Sequence, residues 1–233
     1  MNDTIPQEGM DAPSTEELVD IRLEDLTPEL QAACARAGWS SLAPVQAKSI
    51  PYLLAGRDVM IQSRTGSGKT GAYLLPIIQK VDLSQNAAQA LVLVPTRELA
   101  LQVSKEAEIL TGGTALKTAV VYGGVGYHAQ LEAFRGGAQL VVGTPGRILD
   151  HLLKSTLSLD ALRILIFDEA DRMLSMGFYP DMVKIRKYIP TGRVASSMFS
   201  ATFPPQVIRL ADQFLRRPQL LSLSGNQVHI AEI

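Results

Sequence analysis

The stretch "SRTGSGKTGAYLLP", Ser63–Pro76, decides the fold. It joins a β-rich run, "DVMIQ" (58–62), to a helical pattern over 69–80. Gly66 and Gly68 allow a turn in which backbone N–H groups converge, and a helix N-terminus adds partial positive charge at the same point. That combination suits a phosphate. Lys69 would reach its outer oxygens, and Thr70 would offer a hydroxyl to a magnesium ion. Ser63, Arg64, Thr65, Gly66, Ser67 and Gly68 would form the wall. The usual pattern opens with Gly, and Ser63 stands in that place. The plainer alternative is a Gly-rich turn ahead of a helix.

The same alternation repeats outward from this turn. β-rich runs recur as "ALVLVP" (90–95), "KTAVVYGG" (117–124), "QLVVGTP" (139–145), "RILIFDEA" (163–170) and "VASSMFSAT" (194–202). Several are almost continuously apolar, as strands covered on both faces should be. Helical patterns lie between them, for example over 98–110 and 205–215. Upstream, Thr27-Pro28 opens a helix carrying Leu30, Ala33, Cys34 and Ala37, and Gly38 ends it. A second helix covers 45–54, and Gly56 stops it. The final "LSLSGNQVHIAEI" reads as a strand followed by an exit segment. The pattern predicts an α/β fold, a doubly wound and mostly parallel sheet flanked by helices. Ligands bind such sheets beyond the carboxyl ends of the strands, where the polar and glycine-rich segments fall.

Composition narrows the setting. The chain has 233 residues, 46% of them hydrophobic, enough for one large α/β domain or two small ones. No run approaches the ~18 apolar residues of a membrane span, so no membrane partner is expected. "MNDTIPQEGM" has neither a basic start nor an apolar stretch and does not read as a signal peptide. Cys34 is the only cysteine, which excludes an internal disulfide and suggests a reducing, cytoplasmic setting. His128, His151 and His229 are scattered, so no zinc is expected. The net charge of −1 hides a division. Residues 1–20 hold six acids and no Lys or Arg, and read as a disordered acidic tail. The rest carries 22 basic against 17 acidic residues, which permits a nucleic-acid partner without demanding one. One domain is expected over 21–222, with 223–233 beginning a linker.

Asp168-Glu169-Ala170-Asp171 follows the apolar run "RILIF". A carboxylate at a strand end can hold the ion near Thr70, and its neighbour can orient or deprotonate water. Acids favouring the first turn of a helix are the alternative. Taken with "SRTGSGKT", the tetrapeptide resembles the amino-terminal RecA-like core domain of the DEAD-box RNA helicases. Gly38-Trp39 and Pro44-Val45-Gln46 resemble the Q motif of that family. Pro95-Thr96-Arg97-Glu98-Leu99-Ala100 resembles motif Ia, and Gly123-Gly124 the GG element. Thr144-Pro145-Gly146-Arg147 resembles motif Ib, and Ser200-Ala201-Thr202 motif III. The matches stand in the family's order across residues 21–225.

The resemblance implies a P-loop NTPase that binds ATP or ADP with Mg²⁺ and hydrolyses ATP to separate short RNA duplexes. Lys69, Asp168 and Glu169 would serve catalysis, with Thr70 and Asp168 on the metal. Trp39 and Gln46 would join Ser63–Thr70 around the nucleotide, and a carboxamide can pair with N6 and N7 of adenine. The family places an aromatic upstream; this chain has none before Trp39, and Ile21 falls near its place. Pro95, Thr96, Arg97, Gly123, Gly124, Thr144, Pro145, Gly146 and Arg147 would meet the RNA sugar-phosphate backbone, not the bases. Ser200 and Thr202 would bond near Asp171 and couple nucleotide state to domain closure. A second RecA-like domain is the implied partner. Its "HRxGRxxR"-like segment is not in the sequence, so little hydrolysis is expected of these residues alone. A DNA-directed translocase and a nucleotide-sensing adaptor are the competing readings. Met173, Met176 and Phe178 read as core or groove packing, and Tyr73 and Tyr127 carry no assigned role.

Overall fold

The computed structural model describes residues 17–112, 114–223 and 230–232. In chain order these form α1 (Pro28–Arg36), α2 (Pro44–Leu54), β1 (Val59–Gln62), α3 (Lys69–Lys80), β2 (Ala90–Leu93) and α4 (Arg97–Thr111). There follow β3 (Thr118–Val121), α5 (His128–Arg135), β4 (Leu140–Gly143), α6 (Pro145–Leu153), β5 (Ile164–Phe167) and α7 (Ala170–Ser175). The last elements are α8 (Tyr179–Ile185), β6 (Ala195–Ser200), α9 (Pro205–Phe214), β7 (Gln219–Ser222) and β8 (Ile230–Glu232). Proline starts α1, α2, α6 and α9, where its missing N–H leaves no helical bond unmade.

The sheet runs β3-β4-β2-β5-β6-β1-β7-β8. Seven strands pair in parallel; β8 pairs antiparallel with β7, so the expected exit segment returns along the edge. Successive strand side chains feed opposite cores, as the two-residue period requires. Val59, Ile61, Val92 and Ile166 pack with α1 to α4. Met60, Leu91, Leu93 and Leu165 pack with α6 to α9. This double coverage is why β2, β4 and β5 are buried at every position. β2 to β6 end before their runs do, and the final residues of those runs form the loops that carry the motifs.

The acidic stretch over 1–16 and the segment over 224–229 lie outside the described residues. Residues 17–20 are held on α2. Glu17 and Asp20 reach Lys48 Nζ at 2.7 and 3.4 Å, and the Leu18 N–H donates to the Tyr52 hydroxyl at 2.9 Å. Lys48 is buried, and a buried ammonium requires such partners. Residues 17–20, expected within the tail, thus pack against the domain. No helix among the described residues is long and apolar enough to cross a membrane.

Asp58, just before β1, ties three segments together. Its buried carboxylate accepts the Ser196 N–H at 3.0 Å and the Arg216 N–H at 2.6 Å, and pairs with Arg193 at 3.0 Å. A buried N–H left without an acceptor costs on the order of 1–3 kcal/mol. Asp58→Ala is therefore expected to lower stability by about 2–4 kcal/mol, read as a lower urea midpoint with an unchanged slope.

Candidate functional site

Strand order sorts the motifs into two groups on one edge of the sheet. Neighbouring strands β5, β6 and β1 deliver Asp168–Asp171, Ser200–Thr202 and Ser63–Thr70. Neighbouring strands β3, β4 and β2 deliver Gly123-Gly124, Thr144–Arg147 and Pro95–Arg97.

In the first group the turn after β1 reverses through Gly66 and Gly68, at φ 76° and 91°, and Gly68 caps α3. Lys69 opens that helix. Its Nζ stands 3.9 Å from Asp168 Oδ1, and both side chains are almost fully buried. The Tyr73 hydroxyl donates to Asp168 Oδ2 at 2.9 Å. Burial pushes Asp168 above the usual carboxylate range, while Lys69 and Tyr73 pull it back. Burial, then the charge of Asp168, raises the Tyr73 hydroxyl well above its ordinary value, so it remains a donor. Glu106 on α4 faces the Thr70 hydroxyl, and burial raises its carboxyl.

Glu169 holds a left-handed backbone at φ 54° and ψ 53°, unusual for a residue with a Cβ. Its carboxylate accepts from Arg172 Nη1 at 3.1 Å. Such strain gathers where a fold fixes a group for use. Asp171 is bound to the β6 loop: its Oδ2 accepts from the Thr202 hydroxyl at 2.9 Å and the Thr202 N–H at 3.1 Å. The Asp171 N–H donates to Ser200 Oγ at 3.2 Å. These residues border a cleft of about 430 Å³ that includes Thr65, Lys69, Glu169 and Thr202.

Gln46 and Trp39 meet this turn from behind. Gln46 Oε1 accepts the Ala43 N–H at 2.8 Å, and Nε2 donates to the Gly68 carbonyl at 3.1 Å. Both ends of the carboxamide are thus already engaged, leaving one N–H and one lone pair. Trp39 packs on α3: a Cβ at Gly71 would fall 2.2 Å from its Cη2 and 2.7 Å from Gln46 Nε2.

The second group lines a cleft of about 640 Å³ with Pro95, Thr96, Arg97, Gly123, Thr144, Gly146 and Arg147. Arg97 lies over the Tyr122 ring at 4.8 Å. Arg147 lies over Tyr127 at 4.4 Å and donates to the Val125 carbonyl at 2.9 Å. Tyr127 is itself bonded to Asp150 and Lys154. Thr96 Oγ1 caps α4 by accepting the Leu99 N–H at 3.2 Å. Pro145 is buried as the first residue of α6, and Gly124 turns at φ 78°; these two shape the rim without lining it. Met176 is exposed and Phe178 half-buried at the same cleft, while Met173 is in the core.

Buried polar atoms without a hydrogen-bond partner fall in these two places. Among the described residues they are Ser63 Oγ, Ser67 Oγ, Lys69 Nζ and Asp168 Oδ1 around the turn, and Arg147 Nη1 at the second cleft. Such atoms are costly unless another group meets them.

The family model for the DEAD/DEAH box helicase matches residues 43–210. This chain belongs to that family. It is 39% identical to the DEAD-box ATP-dependent RNA helicase CshA of Geobacillus kaustophilus over 208 residues, covering 89% of this chain and 44% of the relative. It is 42% identical to the ATP-dependent RNA helicase CshA of Listeria monocytogenes, covering 83% and 37%. The chain thus spans less than half of each of these curated relatives. The crystal structure of a DEAD box protein from Methanococcus jannaschii superposes with a TM-score of 0.83 at 37% identity, covering 88% of this chain and 56% of that one. The doubly wound sheet is accordingly the RecA-like fold of DEAD-box proteins.

The DEAD-box motifs were legible in sequence, but several of their supports were not. Tyr73 sits four residues after Lys69, a spacing that puts both on one helix face. Glu106, Arg172, Tyr122 and Tyr127 gave no comparable signal. The packing of Trp39 on Gly71 yields a prediction. Gly71→Ala should cost about 1–3 kcal/mol through overpacking. Adding Trp39→Phe, which removes the ring edge in conflict but leaves the 2.7 Å approach to Gln46 Nε2, should recover part of that loss. Urea unfolding of the four proteins should give a coupling of about 1 kcal/mol or more.

Proposed function

We propose that this chain is the nucleotide-binding and RNA-backbone-binding domain of an ATP-dependent RNA helicase. The observation that carries the reading is the ring of buried, unpartnered polar atoms at the Gly66–Lys69 turn, opposed by Asp168. Four donors or acceptors around one helix N-terminus match the oxygens of a nucleotide phosphate chain and its counter-ion. Mg²⁺ would fit beside that ring, on oxygen ligands from the Thr70 hydroxyl and the Asp168 carboxylate. When bound, the ion would neutralise charge developing on the transferring phosphoryl group.

The remaining roles belong to this chain's own side chains. Lys69 would turn from Asp168 to the outer phosphates. Glu169, fixed by its strained backbone and by Arg172, would orient the attacking water. Gln46 would hold Gly68 in place and use its remaining N–H and lone pair on adenine. The second cleft would take the sugar-phosphate chain of one RNA strand, with Arg147 Nη1 aimed at a phosphate oxygen. Asp171, Ser200 and Thr202 would transmit the nucleotide state to a second RecA-like domain. That domain would supply arginines worth ~10³–10⁵ in rate.

Two measurements test the reading. Lys69→Ala should abolish binding of a fluorescent ADP analogue while circular dichroism is unchanged; retained binding would refute the nucleotide site. Arg147→Ala should weaken binding to single-stranded RNA by roughly tenfold, the worth of one charge-assisted hydrogen bond. It should also lower the slope of log Kd against log salt by roughly one, equally across RNA sequences. An unchanged slope would place the RNA elsewhere.

A further inference from the structure

Lys69 and Tyr73 reach Asp168 from the same face of α3, and they take different oxygens. Lys69 Nζ stands 3.9 Å from Oδ1, while the Tyr73 hydroxyl donates to Oδ2 at 2.9 Å. Oδ1 has no hydrogen-bond partner. The two partners also differ in freedom. Lys69 carries its charge on a flexible four-carbon stem and can turn to a phosphate. Tyr73 is completely buried, with its ring edge-on to Phe199 of β6 at 5.4 Å between centroids. It has no room to follow a ligand.

Asp168 therefore keeps one partner whatever Lys69 does. A carboxylate that offers one oxygen to a cation is oriented by what holds the other, and such supporting bonds set metal affinity. We infer that Tyr73 is a positioning residue for the divalent cation: its hydroxyl fixes Oδ2 of Asp168 and so presents Oδ1 to the ion. The inference rests on the reading of Asp168 as the metal-facing carboxylate. Tyr73→Phe removes the hydroxyl, and with it a lesser contact to the Thr70 hydroxyl. The ring still fills its space against Phe199, but Oδ2 loses the Tyr73 donor. Of the hydrogen-bond donors among the described residues, only the Glu169 N–H stays beside the carboxylate, so its terminal torsion is less restrained.

The test uses the 233-residue chain, wild type and Y73F, with a fluorescent ADP analogue bound first in EDTA and then across a Mg²⁺ titration. Thermal melts run in parallel. Y73F is expected to raise the half-saturating Mg²⁺ concentration about tenfold while affinity in EDTA is unchanged. Equal half-saturation in the two proteins, with metal-dependent binding in wild type, overturns the inference and leaves the nucleotide site standing. A lower melting temperature with unmoved half-saturation does the same, because it reduces Tyr73 to a packing role. Wild type that binds the analogue without response to Mg²⁺, or not at all, overturns the inference together with the reading beneath it.

Discussion

Two opposite charges buried at 3.9 Å, Lys69 and Asp168, organise this domain. The separation is too long for a hydrogen bond, and each group has lost its water. A pair like this rarely repays its desolvation cost by mutual attraction alone. The surrounding structure must hold it: the Tyr73 hydroxyl on Asp168, and double coverage of the sheet on both sides. The phosphate chain and divalent ion proposed for this site would supply the partners that the chain itself leaves out.

Parallel pairing makes the arrangement possible. With seven strands running the same way, every loop after a strand emerges on one edge. Strand order then assigns those loops to neighbours. β6 lies between β1 and β5, so the Ser200–Thr202 loop is wedged between the glycine turn and the acidic quartet, where Thr202 and Ser200 bind Asp171. β2 lies beside β5, so the second cleft adjoins the first. Helix α4 touches both: Arg97 at its start lines the second cleft, and Glu106 further along faces Thr70. The two halves of the edge are parts of one rigid sheet and share a helix.

The polar supports follow a common rule. Groups that the family motifs name are backed by side chains that immobilise them. Gln46 braces Gly68, Arg172 braces Glu169, and Tyr127 lies beneath Arg147. Each brace removes rotational freedom before a ligand arrives, which lowers the entropy lost on binding. Arg147 shows the cost as well: its guanidinium is mostly buried against an aromatic ring and keeps one nitrogen unmatched.

The sequence alone determined whatever depends on neighbours along the chain. Glycine spacing, the lysine at a helix start, apolar runs ending in acids, and proline at first helical turns are local, and each was readable because its physical cause lies within a few residues. The α/β class followed from their alternation. Tertiary structure decided the rest, because strand order and hydrogen-bond partners are set by packing between distant segments. No local pattern places β6 between β1 and β5, spends the Gln46 carboxamide on Ala43 and Gly68, or turns Glu17 and Asp20 toward Lys48. Tyr73 is the sharpest instance: its helical face was implicit in its spacing from Lys69, but its partner, Asp168, arrives on a strand two positions across the sheet.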